Sequence, residues 1–157
     1  MANDYDFMAM ALEEADLAYC KKEVPVGALL VRDGRVVARA HNTPITGNDP
    51  SAHAEMLVLR QGAALLGNYR LSGSELYVTL EPCIMCAGAI IQARLARVIF
   101  GTRDPKGGAV ASLYEILTDR RLNHQVAVTE GILKEECGEI LSRFFRQKRI
   151  TSAPASA

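Results

Sequence analysis

The amino-acid sequence predicts an α/β domain with a mixed sheet of five strands. Stretches with helical periodicity alternate along the chain with short apolar runs typical of strands, as expected of layered α/β domains. An Asp33-Gly34 pair between two such runs predicts a tight hairpin, so the first two strands are expected to be antiparallel. With 157 residues, 49% of them hydrophobic, the chain can bury one core, and we expect a single domain over residues 1–157.

The first helix and the hairpin are predicted from the amino end. Apolar residues recur at three- and four-residue steps over residues 4–22, which predicts a helix, and Pro25 ends it. The nearly continuous apolar run at 26–31 is typical of a buried strand. After the Asp33-Gly34 turn, residues 35–40 are expected to form its partner.

A loop rich in turn-forming residues separates the hairpin from the second helix. That helix is expected to start at Asp49 or Ser51 and to end at Gly67. Apolar residues at alternate positions over 76–80 predict the third strand. A third helix is expected over 82–94, because the proline at its start lacks an N–H that would be unpaired there in any case.

The last third of the chain contains two strands and one long helix. Residues 97–101 predict the fourth strand and residues 125–129 a weaker fifth, with a short helix near 113–117 between them. The last helix is expected over 132–149. Residues 151–157 are small and polar, and we expect a flexible tail there.

The charge and cysteine content limit the possible functions. The 18 acidic and 18 basic side chains balance, which excludes a protein that coats nucleic acid through net charge alone but allows a local basic patch. The amino end is acidic and no apolar run could cross a bilayer, so we expect a cytoplasmic protein with no membrane partner. Of the four cysteines, Cys20 and Cys137 stand alone on helical patterns and are expected to be buried free thiols.

Two short motifs carry the chemistry, and they are His53-Ala54-Glu55 and Pro82-Cys83-Ile84-Met85-Cys86. Together they offer one imidazole and two thiolates as zinc ligands, and a carboxylate that is not needed to hold the metal. This joint pattern is the signature of zinc deaminases that act on nucleobases. We therefore predict one Zn²⁺ per subunit, bound by His53, Cys83 and Cys86.

The spacing of these residues suits their expected positions. Cys83 and Cys86 are three residues apart, so on a helix they share one face, and the positive end of the helix dipole favours their thiolates. His53 lies near the start of the second helix. Two helix starts would thus bring three ligands to one point above the strand ends, where α/β sheets usually bind ligands.

Glu55 is the predicted catalytic residue. Zinc lowers the pKa of its bound water toward about 7, which supplies hydroxide at neutral pH. Glu55 would take the water proton, pass it to a ring nitrogen of the substrate and later protonate the departing ammonia. We expect burial in a closed pocket to raise the pKa of this carboxyl.

Other interpretations of the same residues remain open here. A structural zinc site needs a fourth strong ligand and would suit a non-catalytic RNA-binding module in which Glu55 is dispensable. The spare residues for such a site are Cys20, His41, His124 and Cys137. A redox protein would use Cys83 and Cys86 as a reversible disulfide. The nearest alternative is a deaminase of free nucleobases or nucleosides, of the guanine or cytosine type, with the same metal site.

Nearly the whole chain is similar to one known family. The stretches that carry the likeness are Glu23–Ala28, Asn42–Ile45, Asp49–Glu55, Tyr69–Leu71, Leu76–Ala89, Val98–Asp104 and Phe144–Arg146. In these stretches the chain resembles the TadA family of bacterial tRNA adenosine deaminases, within the cytidine deaminase superfamily. The core motif is uninterrupted, whereas the amino end and the residues after Arg149 match less well.

The resemblance implies a fold, a substrate and further site residues. The implied fold has three layers, α/β/α, around a five-stranded mixed sheet, and the implied protein is a homodimer that converts the wobble adenosine of a tRNA anticodon stem-loop to inosine. Asn42 would contact the base through its amide, the Ala54 backbone would help to hold the base, and Asp104 would touch the ribose region beside it. The residues alone leave Asn42 and Asp104 open as ordinary turn formers.

The end of the last helix is the predicted RNA contact. Phe145 and Arg146 are the substrate-binding candidates there, because cations beside aromatic rings suit phosphate contacts and base stacking. Basic residues at a helix end also complement the helix dipole, whatever the function. Which of Phe144 and Phe145 is buried stays open at this point.

Overall fold

The structure is a computed structural model that describes residues 1–152. Its elements follow the predicted order, with one 3-10 turn at Ile116–Thr118. The helices are α1 Asp4–Cys20, α2 Ala54–Leu66, α3 Ile84–Gln92 and α4 Lys134–Ser152. The strands are β1 Gly27–Arg32, β2 Arg35–His41, β3 Ser74–Leu80, β4 Arg97–Thr102 and β5 Ala127–Glu130.

The five strands form one mixed sheet in the order β2-β1-β3-β4-β5. Strand β1 is antiparallel to both of its neighbours, whereas β3, β4 and β5 are parallel to one another. Strands β2, β3, β4 and β5 therefore all end at the same edge of the sheet. The predicted mixed sheet and its antiparallel hairpin are confirmed, and this shared edge is where the segments after β2, β3 and β4 meet.

Helices cover both faces of the sheet. Side chains at alternate strand positions separate into two cores: Leu30, Val78 and Phe100 pack with α2 and α3, and Leu29 and Ile99 pack with α1 and Cys137 of α4. The three-layer α/β/α arrangement implied by the resemblance is therefore confirmed.

Helices α2 and α3, which carry the candidate ligands, start later than predicted. Helix α2 begins at Ala54 because Asp49 uses its side chain in a local turn, accepting the N–H and the hydroxyl of Ser51. Helix α3 begins at Ile84, so the proline at position 82 precedes the helix instead of occupying its first turn. The residues that cap the two helices are His53 and Cys83, neither of which is a preferred capping residue.

The carboxyl-terminal segments also differ in detail from the prediction. The predicted short helix near 113–117 is a 3-10 turn over Ile116–Thr118. Helix α4 extends to Ser152, so the first residues of the predicted flexible tail are helical. The rest of that tail, 153–157, lies outside the described residues.

The two isolated cysteines have different environments. Cys137 is buried against the sheet, as predicted, whereas Cys20 is exposed and that prediction was wrong. Cys20 is the last residue of α1 and lies off the stripe through Ala11, Ala15 and Ala18 that packs on the sheet. Within residues 1–152, no helix combines the length and the apolar character that a membrane span requires.

Candidate active site and metal centre

His53, Cys83 and Cys86 form a compact set of possible metal ligands. The Nδ1 atom of His53 lies 3.6 Å from the Sγ atom of each cysteine, and the three ligand atoms lie within 4.8 Å of one another. A tetrahedral zinc with ordinary bond lengths separates a nitrogen and a sulfur ligand by about 3.6 Å. The donor set and its spacing therefore fit Zn²⁺, with His53 presenting Nδ1.

The ligand set has three members, which distinguishes it from a structural zinc site. No fourth histidine, cysteine or acidic side chain joins the group anywhere in residues 1–152. A structural site uses four protein ligands, whereas a catalytic site keeps one position for water or substrate. The arrangement is therefore that of a catalytic zinc site.

The ends of β2 and β3 and the starts of two helices place these ligands. His53 and Cys83 occupy the capping positions of α2 and α3, both with extended backbone, and Cys86 lies in the first turn of α3. Both helices direct unpaired N–H groups and the positive end of the dipole toward the site, which stabilises thiolates. The predicted convergence of two helix starts is confirmed.

The three ligand groups shift one another's pKa values. A hydrogen bond from the Cys86 thiol, with further help from His53, lowers the pKa of Cys83 to about 4. The same bond to Cys83, together with burial, raises the pKa of Cys86. The pKa of His53 is raised because its ring hydrogen-bonds the Cys83 sulfur. A bound divalent cation would favour the thiolate form of both cysteines.

Glu55 lies beside the ligands and is not one of them. Its side chain is only 4% exposed and lies next to Cys86. Burial raises its pKa to about 7, in the direction that the sequence predicted. A carboxyl that titrates near neutral pH can both take up and release a proton, which is the requirement for a general acid and base.

Asn42 is joined directly to the helix that carries His53 and Glu55. It follows β2, it is buried, and its Oδ1 accepts the backbone N–H of Ala54 at 2.8 Å. The Asn42 Oδ1 and the Ala54 N–H are therefore paired with each other. The amide nitrogen of Asn42 is the end that remains for a ligand.

Asp104 has the turn-forming role that the sequence left open, and it also lines a cavity. Its Oδ1 accepts the backbone N–H groups of Lys106 and Gly107. The cavity has a volume of about 790 Å³ and lies between the segment after β4 and helix α4. Its lining residues are Val24, Leu80, Arg103, Asp104, Pro105, Lys106, Leu141, Phe145, Lys148 and Arg149.

The structure separates the aromatic and basic candidates of α4. Phe144 is buried, whereas Phe145 is 40% exposed and lines this cavity together with Asp104. Arg146 does not line it, and forms an ion pair with Glu139 on the exposed side of α4. Of the predicted RNA-contacting residues, the structure thus brings Asp104 and Phe145 together and places Arg146 elsewhere.

Two buried carboxylates near the site were missed in the sequence. Glu23 is fully buried and accepts the backbone N–H groups of Ile45 and Thr46, in the loop that follows Asn42. Glu81 is 2% exposed and accepts N–H groups from the loop that follows β4. Burial opposes ionisation of each, but these hydrogen bonds lower both pKa values. The sole sequence signal was an acidic residue beside an apolar strand.

Comparisons with known proteins give a consistent result. A family profile described as the cytidine and deoxycytidylate deaminase zinc-binding region matches residues 1–102. The chain is 50% identical to a tRNA-specific adenosine deaminase of Bacillus subtilis over 149 residues, which cover 95% of this chain and 92% of that protein.

Solved structures are similar as well. One, from studies of A-to-I editing by tRNA:A34 deaminases at the wobble position, is 49% identical with a TM-score of 0.83, covering 86% of this chain and 98% of that one. A guanine deaminase from Nitrosomonas europaea is 22% identical with a TM-score of 0.81, covering 92% of this chain and 85% of that one. The latter likeness concerns the fold alone.

Proposed function

The chain belongs to the zinc-binding cytidine and deoxycytidylate deaminase family, and within it to the tRNA-specific adenosine deaminases; we propose that it converts adenosine to inosine at the wobble position of a tRNA anticodon loop, releasing ammonia. The observation that carries the proposal is a buried, unligated Glu55 beside three convergent zinc ligands. Because the substrate is tRNA, the proposal includes a cytoplasmic location.

The chemistry follows from the site residues. Zn²⁺ bound by His53, Cys83 and Cys86, one per subunit, would supply a hydroxide nucleophile at neutral pH. Glu55 takes the proton of the attacking water and delivers it to a ring nitrogen of the adenine; it then takes the remaining proton of the added hydroxyl, as the carbonyl forms, and passes it to the leaving amine. Its buried position keeps bulk water from competing for that proton.

The adenine is oriented by the Asn42–Ala54 pair in this proposal. Since Asn42 Oδ1 is held by the Ala54 N–H, its amide nitrogen is directed as a donor to an acceptor atom of the base. Ala54 acts through its backbone, by fixing Asn42 next to Glu55. An anticodon-loop base is already unpaired, so moving it into such a pocket costs little.

The cavity beside α4 is the proposed path of the neighbouring nucleotides. Phe145 offers an exposed ring for base stacking, and Asp104 lies across the same cavity for a ribose hydroxyl. Lys106, Lys148 and Arg149 provide positive charge along it for phosphates. Arg146 contributes less in this arrangement, because it does not line the cavity and pairs with Glu139 on the exposed side of α4.

A homodimer is the proposed assembly. Large apolar side chains are exposed close to the site, on the first turn of α3 at Ile84 and before the 3-10 turn at Leu113 and Tyr114. Exposed apolar groups of this size are typical of surfaces that another chain covers. Sedimentation of the purified protein tests the dimer directly.

Treating unmodified tRNA with the zinc-loaded protein and mapping inosine tests the activity. The expected product is inosine at the wobble adenosine with equimolar ammonia, and Glu55→Ala should bind zinc and make neither. Free guanine, cytosine and adenosine form the comparison arm. Deamination of free bases without inosine in tRNA would favour the free-base alternative. The similarity to tRNA deaminases at about 50% identity does not favour that alternative.

A further inference from the structure

The side chain of Glu81 gathers an unusual number of hydrogen bonds from one loop. Glu81 follows the last residue of β3, and its backbone N–H donates to the carbonyl of Thr102 at the end of β4. Its carboxylate accepts backbone N–H groups from Asp104, Val110, Ala111 and Ser112, at 2.8 to 3.1 Å, and the hydroxyl of Ser112. One buried charge therefore binds both ends of the loop over residues 104–112.

The two carboxylate oxygens have different partners. Oε2 accepts the three consecutive N–H groups of Val110, Ala111 and Ser112. Oε1 accepts the N–H of Asp104 and the Ser112 hydroxyl. The Asp104 end of the loop is thus held by one oxygen and the far end mainly by the other.

This loop packs directly on the segment that carries a metal ligand. The N–H of Ala109 donates to the carbonyl of Pro82 at 2.9 Å, and Gly108 pairs with Cys83 as an isolated β-bridge. A Cβ atom at Gly108 would overlap the Glu81 carboxylate, so the loop lies closer to the strand than any other residue type would allow. Glu81 is therefore at the junction of the zinc site and the loop.

We propose that Glu81 is a positioning residue for tRNA: it sets the height of the 104–112 loop over Cys83 and so places Asp104 at the cavity shared with Phe145. The inference rests on the proposed tRNA deamination for its kinetic test. Glu81 is buried beneath the loop and is not a member of the metal-ligand group. Its effect on tRNA is therefore indirect, through the position of Asp104.

The variant Glu81→Gln separates the two oxygens. Glutamine keeps one acceptor oxygen, which the three N–H groups at 110–112 would retain, and presents an NH₂ group to the Asp104 N–H. Two donors then face each other, and the Asp104 end should detach while the far end stays. Ser112→Ala is the matched control. It removes the hydroxyl that donates to Glu81 and leaves in place every backbone N–H group that donates to the Glu81 carboxylate.

In Glu81→Gln, we expect the KM for tRNA to rise about tenfold with kcat within about threefold, the effect of losing one positioning contact. Zinc content should equal that of the wild type, and Ser112→Ala should stay within about twofold in both constants. In an Asp104→Ala background, Glu81→Gln should raise KM by less than about threefold, because the contact it positions is already gone. A merely structural role would give the same loss in both backgrounds.

Amide hydrogen exchange tests the same idea without any substrate. In the zinc-loaded Glu81→Gln protein, the Asp104 amide should exchange at least about tenfold faster, with the 110–112 amides nearly unchanged. Equal protection of Asp104 in variant and wild type, or equal KM values, would overturn the proposal. A wild-type protein that makes no inosine would refute the tRNA activity instead, and the exchange data would still decide whether Glu81 holds Asp104.

A second variant covers the case in which Glu81→Gln does not fold. Gly108→Ala keeps the carboxylate and pushes the loop away from it. It should raise the KM for tRNA in the same way, and an unchanged KM would count against the proposal.

Discussion

Asn42 and Ala54 are joined by a hydrogen bond of 2.8 Å between the Asn42 Oδ1 and the Ala54 N–H. The bond ties the segment after β2 to the first residue of α2, between the candidate metal ligand His53 and Glu55, the proposed acid-base residue. One side chain thereby couples the loop that contains Asn42 to the zinc site, and its other end stays available to a base.

Two substitutions at Asn42 should separate these roles. Asn42→Asp keeps an acceptor for the Ala54 N–H and loses the NH₂ group, so we expect normal zinc content and a fall in kcat/KM of about 100-fold. Asn42→Ala also frees the Ala54 N–H and should destabilise the fold by about 1–2 kcal/mol. Urea unfolding and single-turnover kinetics measure the two effects. Equal activity in Asn42→Asp and wild type would contradict a base-contacting role.

Glu55→Gln should stabilise the metal-free protein in a pH-dependent manner. The pKa of Glu55 is raised to about 7 by burial, above its ordinary value of 4.5, so its favourable contribution is complete below pH 4.5 and is lost as the pH rises through 7. A glutamine has no proton to lose. After zinc removal, we expect the variant to be more stable than wild type by about 1–3 kcal/mol at pH 8, with little difference at pH 4.5.

Urea unfolding of both proteins at several pH values checks this. Subtracting one free energy of unfolding from the other cancels the contribution of the titratable groups that the two proteins share. Glu55→Gln should also abolish deamination in the zinc-loaded form. A stability difference that does not grow between pH 4.5 and pH 8 would mean that Glu55 is not buried in the folded state.

Zinc should protect one cysteine selectively from alkylation. The pKa of Cys83 is lowered to about 4 by its hydrogen bond from Cys86, so in the metal-free protein it is a thiolate at pH 6. Cys86 and Cys137 are buried and burial contributes to raising both pKa values, so they should react slowly. Iodoacetamide treatment with peptide mass spectrometry should therefore find Cys83 modified well before these two.

The exposed Cys20 is the internal reference for that experiment, since it is far from the metal ligands in the chain and accessible to the reagent. Added zinc should slow alkylation of Cys83 by at least about tenfold, because a coordinated thiolate is shielded. The rate at Cys20 should not change. Equal slowing at both cysteines would point to a general effect of zinc on the protein instead of binding at this site.

The neighbouring residues Phe144 and Phe145 should respond in opposite ways to truncation. Phe144 is buried against Tyr19, with ring centroids 5.7 Å apart, so Phe144→Ala should destabilise the protein by about 3 kcal/mol. Phe145 is exposed, so Phe145→Ala should alter stability by less than about 1 kcal/mol and raise the KM for tRNA about tenfold through lost stacking. Thermal unfolding and kinetics on each variant check both results.

If Phe144→Ala instead raised the KM for tRNA and Phe145→Ala destabilised the protein, α4 would present its other face to RNA. A Phe145→Ala variant with normal KM would remove the cavity beside Asp104 from the proposed RNA path.

Much of the site was predictable because its chemistry needs particular residue types at short spacing. His53 with Glu55, and Cys83 with Cys86, are each close in the chain, and zinc accepts few kinds of ligand. The helix starts were mispredicted for a related reason: ordinary preferences select Asp49 or Ser51 as a cap and Pro82 as a first-turn residue, whereas the observed caps are the candidate metal ligands. Local rules cannot include the requirement that two helices converge on one ion.

The sequence by itself determined the layered α/β order and predicted which residues serve as zinc ligands and proton carrier, because apolar periodicity and ligand spacing are properties of short segments. Only the tertiary structure decided that Glu81 and Glu23 are buried, that Cys20 is exposed, and that Phe145 and not Phe144 lies with Asp104. The partners of these carboxylates are backbone N–H groups about 20 to 30 residues away, and a backbone N–H carries no residue-specific signal. These hydrogen bonds form only when the folded sheet brings the ends of its strands, and the loops that follow them, to one edge.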